Sequence, residues 1–445
     1  MTNHTAPAMR TRNGDSGQPV EAEPVQIDMA DPHSPFRADI DAAYAELRAR
    51  GPVVRVAFGS TTDGEERPAC PGREMLMVTH YAQGVAALLD DRLSSDPRVT
   101  QTDERRAPSP AGPQEPPPLS QSLLSSDPPD HTRLRKLVQP GFTGRAIEAL
   151  RPRAQAIADE LLDRAEREAT ARGERAPGRR MDLIEAFAYP LSVTVICEML
   201  GIPAPDRQTV LPWTERLLIA SGPQMPEDTR TSLQQFIAYL RELFVRKRQH
   251  PAEDLISRLV HAAQDGDMLS EQELLSMVFL LFIAGHATTM HLIANGVLAL
   301  LAHPDQLAKV QADPSMVRAA VEETLRYWGP VDNITRIAKQ DVELAGTAIG
   351  QGELVTVSLA SADRDPTRFA DPDVFDVTRA DAGRHIAFGK GVHLCLGAPL
   401  ARVEGQVALT TLLQRCPQLR LAVPAGDLVW RPDFLRGLQR LPVRF

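Results

Sequence analysis

Cys395 stands in a segment suited to chemistry, Phe388-Gly389-Lys390-Gly391-Val392-His393-Leu394-Cys395-Leu396-Gly397. Glycines at 389, 391 and 397 allow a tight loop and the close approach of a flat ligand. A helix is expected just beyond, over about 396–415. A cysteine at a helix N-terminus meets the positive end of the helix dipole and free N–H groups, and both stabilise its thiolate. Such a thiolate suits a metal. A buried structural cysteine is the alternative that the loop by itself leaves open. Zinc does not fit, because no second Cys or His pair stands at finger spacing. A phosphate loop does not fit either, because Gly389-Lys390 is not followed by Ser or Thr. Two further spacings carry donors. His131 and Arg135 lie four apart, so a helix there shows both on one face, where Arg can grip a carboxylate with two bonds. Glu323 and Arg326 lie one helical turn apart, at ion-pair spacing.

The ten-residue segment around Cys395 resembles the haem-ligand loop of the cytochrome P450 family, the haem-thiolate monooxygenases, most of all its soluble bacterial branch. Three other segments resemble family motifs, in the family's order. Asp127 to Leu137 is similar to the helix that grips the haem edge. Ala284-Gly285-His286-Ala287-Thr288-Thr289 is similar to the oxygen-binding kink of the long central helix. Glu323-Thr324-Leu325-Arg326 is similar to the Glu-x-x-Arg motif. The resemblance runs from about residue 30 to 445.

It implies haem b as cofactor, with Cys395 ligating the iron and its thiolate pushing electron density toward O–O cleavage. Phe388 would shield the sulfur, with Gly397 beside it in the loop. His131, Arg135, Arg336 and His393 would anchor the haem propionates. Ala284 and Gly285 would let the flat ring approach, and Thr288 would bond oxygen or water above the iron. Glu323 and Arg326, with Arg379 as a third member, would form a buried structural lock. The family usually carries an acid before the threonine, and the pair delivers protons. This chain has Ala287 there, so another group or water must serve. Pocket candidates are Leu123, Leu124, Ala284, Ala287, Val331, Ile334, Phe434 and Leu435, largely small or aliphatic, as a bulky apolar ligand requires. Arg133, Lys136, Arg145, Lys390 and Arg402 fall on segments flanking the haem loop, the face where the family docks an acidic electron donor.

The implied reaction is oxygen-dependent hydroxylation or epoxidation of a bulky apolar small molecule in bacterial natural-product biosynthesis. Electrons would come from NAD(P)H through a separate ferredoxin and ferredoxin reductase, since no flavin or nicotinamide fingerprint occurs. Oxidative coupling, ring closure, desaturation or peroxide-driven oxidation on the same fold is a second reading, and a non-catalytic haem-binding protein a third.

Composition sets the wider frame. The chain has 445 residues, 43% hydrophobic and 24% charged, the balance of a soluble globular protein. Its formal charge of -9 argues against a general nucleic-acid binder. Four cysteines in so long a chain make no disulfide framework. The first residues contain no apolar run, and Met277 to Ala284 is too short to span a membrane, so the expectation is a cytoplasmic monomer.

Residues 1–25 read as a polar, disordered tail and 26–445 as one mainly helical haem domain with a minor β region. Helices are expected over 39–50, 127–137, 144–172, 181–201, 207–221, 228–249, 251–264, 271–302, 314–328 and 396–415. Strands are expected at 53–58, 75–78, 332–337, 341–344, 353–358, 419–423 and 440–445. The helix at 271–302 has the clearest start, with Ser270 as N-cap and Glu273 completing a capping box. The Pro-rich segment 106–118 cannot be helical.

Overall fold

The computed structural model describes residues 24–28, 34, 36, 39–59, 73–100, 121–219, 226–264, 267–431 and 435–445. Most of the expected tail, Cys70, the Pro-rich segment 106–118 and Phe434 lie outside the described residues.

One sheet gathers strands from both ends of the chain. β1 (Val25–Asp28), β2 (Val53–Gly59), β3 (Arg73–Val78) and β4 (Leu93–Ser94) come from the N-terminal part. β5 (Asn333–Ala338) and β6 (Leu354–Ser358) come from far downstream. The order is β1-β2-β3-β6-β5-β4. β3 and β6 pair in parallel, with Leu76 opposite Val355. All five residues of β6 are buried, as a strand covered on both faces must be. α1 (Ile40–Arg50) is capped by Asp39, whose carboxylate accepts from the Ala42 N–H, and it covers the β1–β2 end through Tyr44 and Leu47. β1 begins inside the expected tail, at Val25.

The helical body surrounds one long helix. In chain order its members are α2 (Tyr81–Leu89), α3 (Asp130–Val138), α4 (Arg151–Ala171), α5 (Tyr189–Leu200), α6 (Ala204–Ile219), α7 (Glu227–Gln249), α8 (Leu255–His261), α9 (Glu271–Ala302), α10 (Pro304–Ala312), α11 (Val317–Trp328) and α12 (Ala398–Arg415). α9 carries both bonds of the expected capping box, Ser270 with Glu273. By length and composition α9 would pass for a membrane span, but most of that stretch is buried inside the fold, so its apolarity belongs to the core. It packs on α5, α11 and α12: a side chain at Gly296 would meet Thr324 and Leu409, and one at Gly405 would meet Leu292 and Val321.

Several elements depart from the sequence expectation. The helix expected at 144–172 is broken: a short turn over Gly144–Glu148 is followed by α4, with Pro152 in its first turn. The one expected at 181–201 opens as a strand, Arg180–Asp182, paired with Pro442–Arg444, and a π-turn over Ile184–Ala188 leads into α5. α8 starts only at Leu255, where the Asp254 carboxylate caps the Ser257 N–H, and Ala263–Gln264 then pairs with Asp267–Met268. Pro304 ends α9 and opens α10, which the sequence reading lacked, as it lacked α2.

Candidate active site

The Cys395 loop closes on itself. The Cys395 N–H donates to the Phe388 carbonyl at 2.9 Å, and Gly389 N–H donates to Ile386 at 2.7 Å. Gly389 and Gly391 have φ of 70° and 74°, a left-handed conformation that favours glycine. A side chain at Gly391 would also strike the Leu88 carbonyl at 2.9 Å. Gly397, by contrast, has an ordinary φ of -81°, and its bare Cα lies beside the sulfur.

Cys395 is exposed, yet burial pushes its thiol pKa up. Both hold when the exposed side faces enclosed space. Against burial, the N–H groups of Gly397 and Ala398 and the charges of Arg135 and Arg402 favour the thiolate. Metal binding to the sulfur would complete that deprotonation. Ala284 on α9 has the same character: it is exposed although Phe282, His286 and Ala287 around it are buried. Cys395 and Ala284 thus each form an accessible opening in largely buried surroundings.

The donors expected to hold haem carboxylates are brought together. Asp127 fixes the entry to α3 by accepting from the Ser94 hydroxyl and the Ser95 N–H. His131 then packs at a tilt against His393, with ring centroids 4.4 Å apart. Both Nε2 atoms are buried without a partner. Arg336 is buried as well, with one nitrogen on the Thr335 carbonyl at 3.0 Å. Burial depresses the His393 pKa to about 3, and Arg336 and His131 push the same way. Two unpartnered imidazoles beside a buried guanidinium fit an anion and nothing apolar. Haem propionates are such anions, so these residues fit the group. Arg135 has another role here: its two terminal nitrogens donate to the carbonyls of Val392 (2.9 Å) and Leu394 (2.8 Å), bracing the loop before Cys395.

Gly285 answers to a packing demand that the sequence reading did not name. A side chain there would meet Ile196 of α5 at 2.8 Å, so its smallness serves the crossing of α9 and α5. Ala287 is only 2% exposed and does not share the opening at Ala284. Thr288 donates its hydroxyl to the Ala284 carbonyl at 2.7 Å, leaving its oxygen lone pairs to accept.

Glu323 and Arg326 form a two-bond ion pair at 2.7 and 2.8 Å with both side chains fully buried. Arg379 adds a bond to Glu323 at 3.2 Å, and Arg326 also reaches the carbonyls of Asp363, Pro372 and Val374. The lock thereby ties α11 to the segment before the Cys395 loop.

Among the pocket candidates, Val331 bridges Leu435, which is buried, and Ile334 is half-buried with its tip 3.4 Å from a side-chain position on Gly389. Leu123 is buried in the main core, whereas Leu124 is 53% exposed. The five-cation docking face is thinner than expected. Arg133 pairs with Glu273, and Arg402 makes two bonds to Glu322 (2.6 and 2.9 Å). Lys136 and Arg145 are exposed and Lys390 is half-buried.

The sequence reading missed the support of Phe388. Arg402 lies over its ring at 4.7 Å, while His385 bonds Glu322 at 3.2 Å and packs against Phe388. The only sequence signal was the adjacency of Glu322 to the Glu323 motif.

A family profile described as Cytochrome P450 matches residues 223–420. The chain is 44% identical over 431 residues to cytochrome P450 monooxygenase PikC of Streptomyces venezuelae, covering 96% of each. The chain belongs to the cytochrome P450 family. It is 41% identical to 6-deoxyerythronolide B hydroxylase of Saccharopolyspora erythraea, covering 92% of this chain and 96% of that one. In structure it matches the Bacillus subtilis bacillaene polyketide synthase cytochrome P450 PksS, with TM-score 0.81, 37% identity, and coverage of 93% of this chain and 99% of that one. The expected P450 fold, mainly helical around a minor β region, is thus shown, and the chain is a monooxygenase of that family using haem and dioxygen.

Proposed function

We propose that this P450 hydroxylates or epoxidises a bulky apolar small molecule of the polyketide or related natural-product class. The observation that carries the reading is that relatives over nearly the whole chain include one named 6-deoxyerythronolide B hydroxylase and one named for polyketide biosynthesis, PksS. The small and aliphatic character of Ala284, Val331 and Ile334 supports it. Electrons come from NAD(P)H through a separate ferredoxin and its reductase, which meet the face carrying Lys136, Arg145 and Lys390; the exposure of the first two supports that docking.

Cys395 would hold the iron, and His131, His393 and Arg336 would hold the propionates. Bound in this way, haem supplies the activation of dioxygen. The chain's own residues do the rest. The Gly397 and Ala398 N–H groups stabilise negative charge on the sulfur. Phe388, pinned by Arg402, keeps water from that side. Thr288, its hydroxyl held by the Ala284 carbonyl, keeps lone pairs to accept a proton or bond water, and the small Ala284 would leave room for substrate.

The test begins with the absorption spectrum of the dithionite-reduced protein under carbon monoxide. The strongly red-shifted Soret band of a thiolate-ligated complex is expected; a band at the imidazole-ligated position removes Cys395 from its role. Titration with macrolactones is then expected to give a low-to-high spin change and, with a surrogate ferredoxin pair, a product heavier by one oxygen. No spin change and no oxygenated product across macrolactones and linear polyketides would overturn the substrate class.

A further inference from the structure

Groups from three separate stretches of the chain meet at Phe388, whose carbonyl accepts the Cys395 N–H at 2.9 Å. Arg402 comes from α12, Glu322 from α11 and His385 from the segment just before the Cys395 loop. We propose that Arg402 and Glu322 form a charge couple that sets how readily an electron is accepted at the Cys395 site: Arg402 favours the reduced state, and Glu322 holds Arg402 in place and offsets it. The inference rests on the reading of Cys395 as the haem ligand.

Geometry brings the couple to the loop. α12 begins at Ala398, and Arg402 lies in its second turn. Helical side chains lean toward the N-terminus, so Arg402 leans toward the Cys395 end. Its guanidinium lies over the Phe388 ring at 4.7 Å. The same guanidinium donates two bonds to the Glu322 carboxylate, at 2.6 and 2.9 Å, which fix its plane. The two side chains are only 32% and 16% exposed. Charges sheltered in this way are screened by salt far less than surface charges.

Charge states complete the picture. Burial opposes ionisation of Glu322, but its bonds to Arg402 and His385 outweigh that and bring its pKa down to about 2. Burial also holds the His385 pKa below its ordinary value against the pull of Glu322, so that ring is neutral at pH 7. One positive and one negative charge remain, and the positive one is in contact with Phe388. Burial pushes the Cys395 thiol up, and Arg402 is among the groups that oppose it. Arg135, the other such cation, is held by the Val392 and Leu394 carbonyls, which do not neutralise it.

The step is the gain of one electron, supplied by the ferredoxin, with no bond of the chain made or broken. It adds one negative charge beside the sulfur, which a cation at Arg402 stabilises and an anion at Glu322 opposes. Groups around a metal ligand tune its potential in this manner.

The experiment is a spectroelectrochemical titration of the full haem-loaded chain without substrate. It compares the wild type with Arg402→Gln, Glu322→Gln, the double variant and Arg402→Lys. Arg402→Gln is expected to shift the balance about tenfold toward the oxidised form, about 59 mV for one electron. Glu322→Gln keeps an acceptor for Arg402 and is expected to shift the balance about threefold toward the reduced form. The double variant is expected between the two. Arg402→Lys keeps the charge and is expected within about twofold of the wild type. Loosened packing around Phe388 would move every variant in one direction, so opposite signs separate the charge couple from a structural role. An unchanged balance in both single variants, or a shift of one sign in both, overturns the proposal, as does Arg402→Lys behaving like Arg402→Gln. Should Arg402→Gln fail to hold haem, Glu322→Gln decides, and any result but a shift toward the reduced form overturns it. A wild type that lacks the thiolate-type carbonyl band refutes the family reading of Cys395 instead.

Discussion

The His131 and His393 rings meet at a tilt of 59° with centroids 4.4 Å apart, and each keeps its Nε2 buried and unpaired. With both Nε2 atoms unpaired and the buried Arg336 guanidinium close to His393, the pair offers donors suited to a shared anion. A His131→Phe/His393→Phe double variant keeps a ring pair at this contact and removes both donors. Each lost hydrogen bond to a charged group is worth about 1.5–3 kcal/mol, so haem transfer to apomyoglobin is expected to speed up at least about tenfold. An unchanged transfer rate would show that these rings hold no propionate.

Asp332 makes stability depend on pH in the unusual direction. It is buried, its Oδ1 has no partner, and burial pushes its pKa up to about 7 despite Arg436 nearby. In the unfolded chain the carboxyl ionises near its ordinary 3.8. Between those values the folded state binds the extra proton, so stability falls as pH rises from about 4 to about 7 and is level above. The whole change is at most about 4 kcal/mol. Asp332→Asn is expected to leave the melting temperature at pH 4 nearly unchanged and to raise it at pH 8. Parallel wild-type and variant curves would refute this.

Arg326→Leu tests the lock. It leaves the Glu323 carboxylate buried with only Arg379 and the Asp376 N–H for company. Breaking a buried pair in this way costs about 3–5 kcal/mol, a large part of a typical domain's stability. Little haem-loaded protein is expected at 37 °C, read as the yield of the carbonyl band. Normal yield with an unchanged melting temperature would mean the pair is dispensable.

Gly285→Ala forces a methyl against Ile196, whose side-chain atoms stand 2.8 and 2.9 Å away. Overpacking of this kind costs about 1–3 kcal/mol. The cost should largely vanish in an Ile196→Ala/Gly285→Ala pair compared with Ile196→Ala alone. If Gly285→Ala costs the same in both backgrounds, the glycine answers to something other than α5.

What the sequence disclosed depends on how local the cause was. The capping box at Ser270 and Glu273 and the turns at Gly389 and Gly391 are written in adjacent residues, and their spacing reads directly. α2 was missed because Tyr81–Leu89 carries no charged residue to mark an outer face. The break at Leu150 was missed although Pro152 two residues on marks the first turn of a new helix. The docking face was overcounted because the partners of Arg133 and Arg402, Glu273 and Glu322, lie far along the chain. The packing demand on Gly285 was missed for the same reason: the atoms that leave no room for a side chain there belong to Ile196.

The pairing of Leu76 with Val355 has a temporal meaning. During synthesis β3 leaves the ribosome long before β6 exists, and until then one edge of β3 has no neighbour. Such an edge recruits other chains. A nascent or truncated chain that stops before Leu354 therefore exposes an adhesive strand, and closing it requires the slow capture of a distant segment. The last quarter of the polypeptide thus brings both the cysteine loop and the strand that makes the first quarter safe from aggregation.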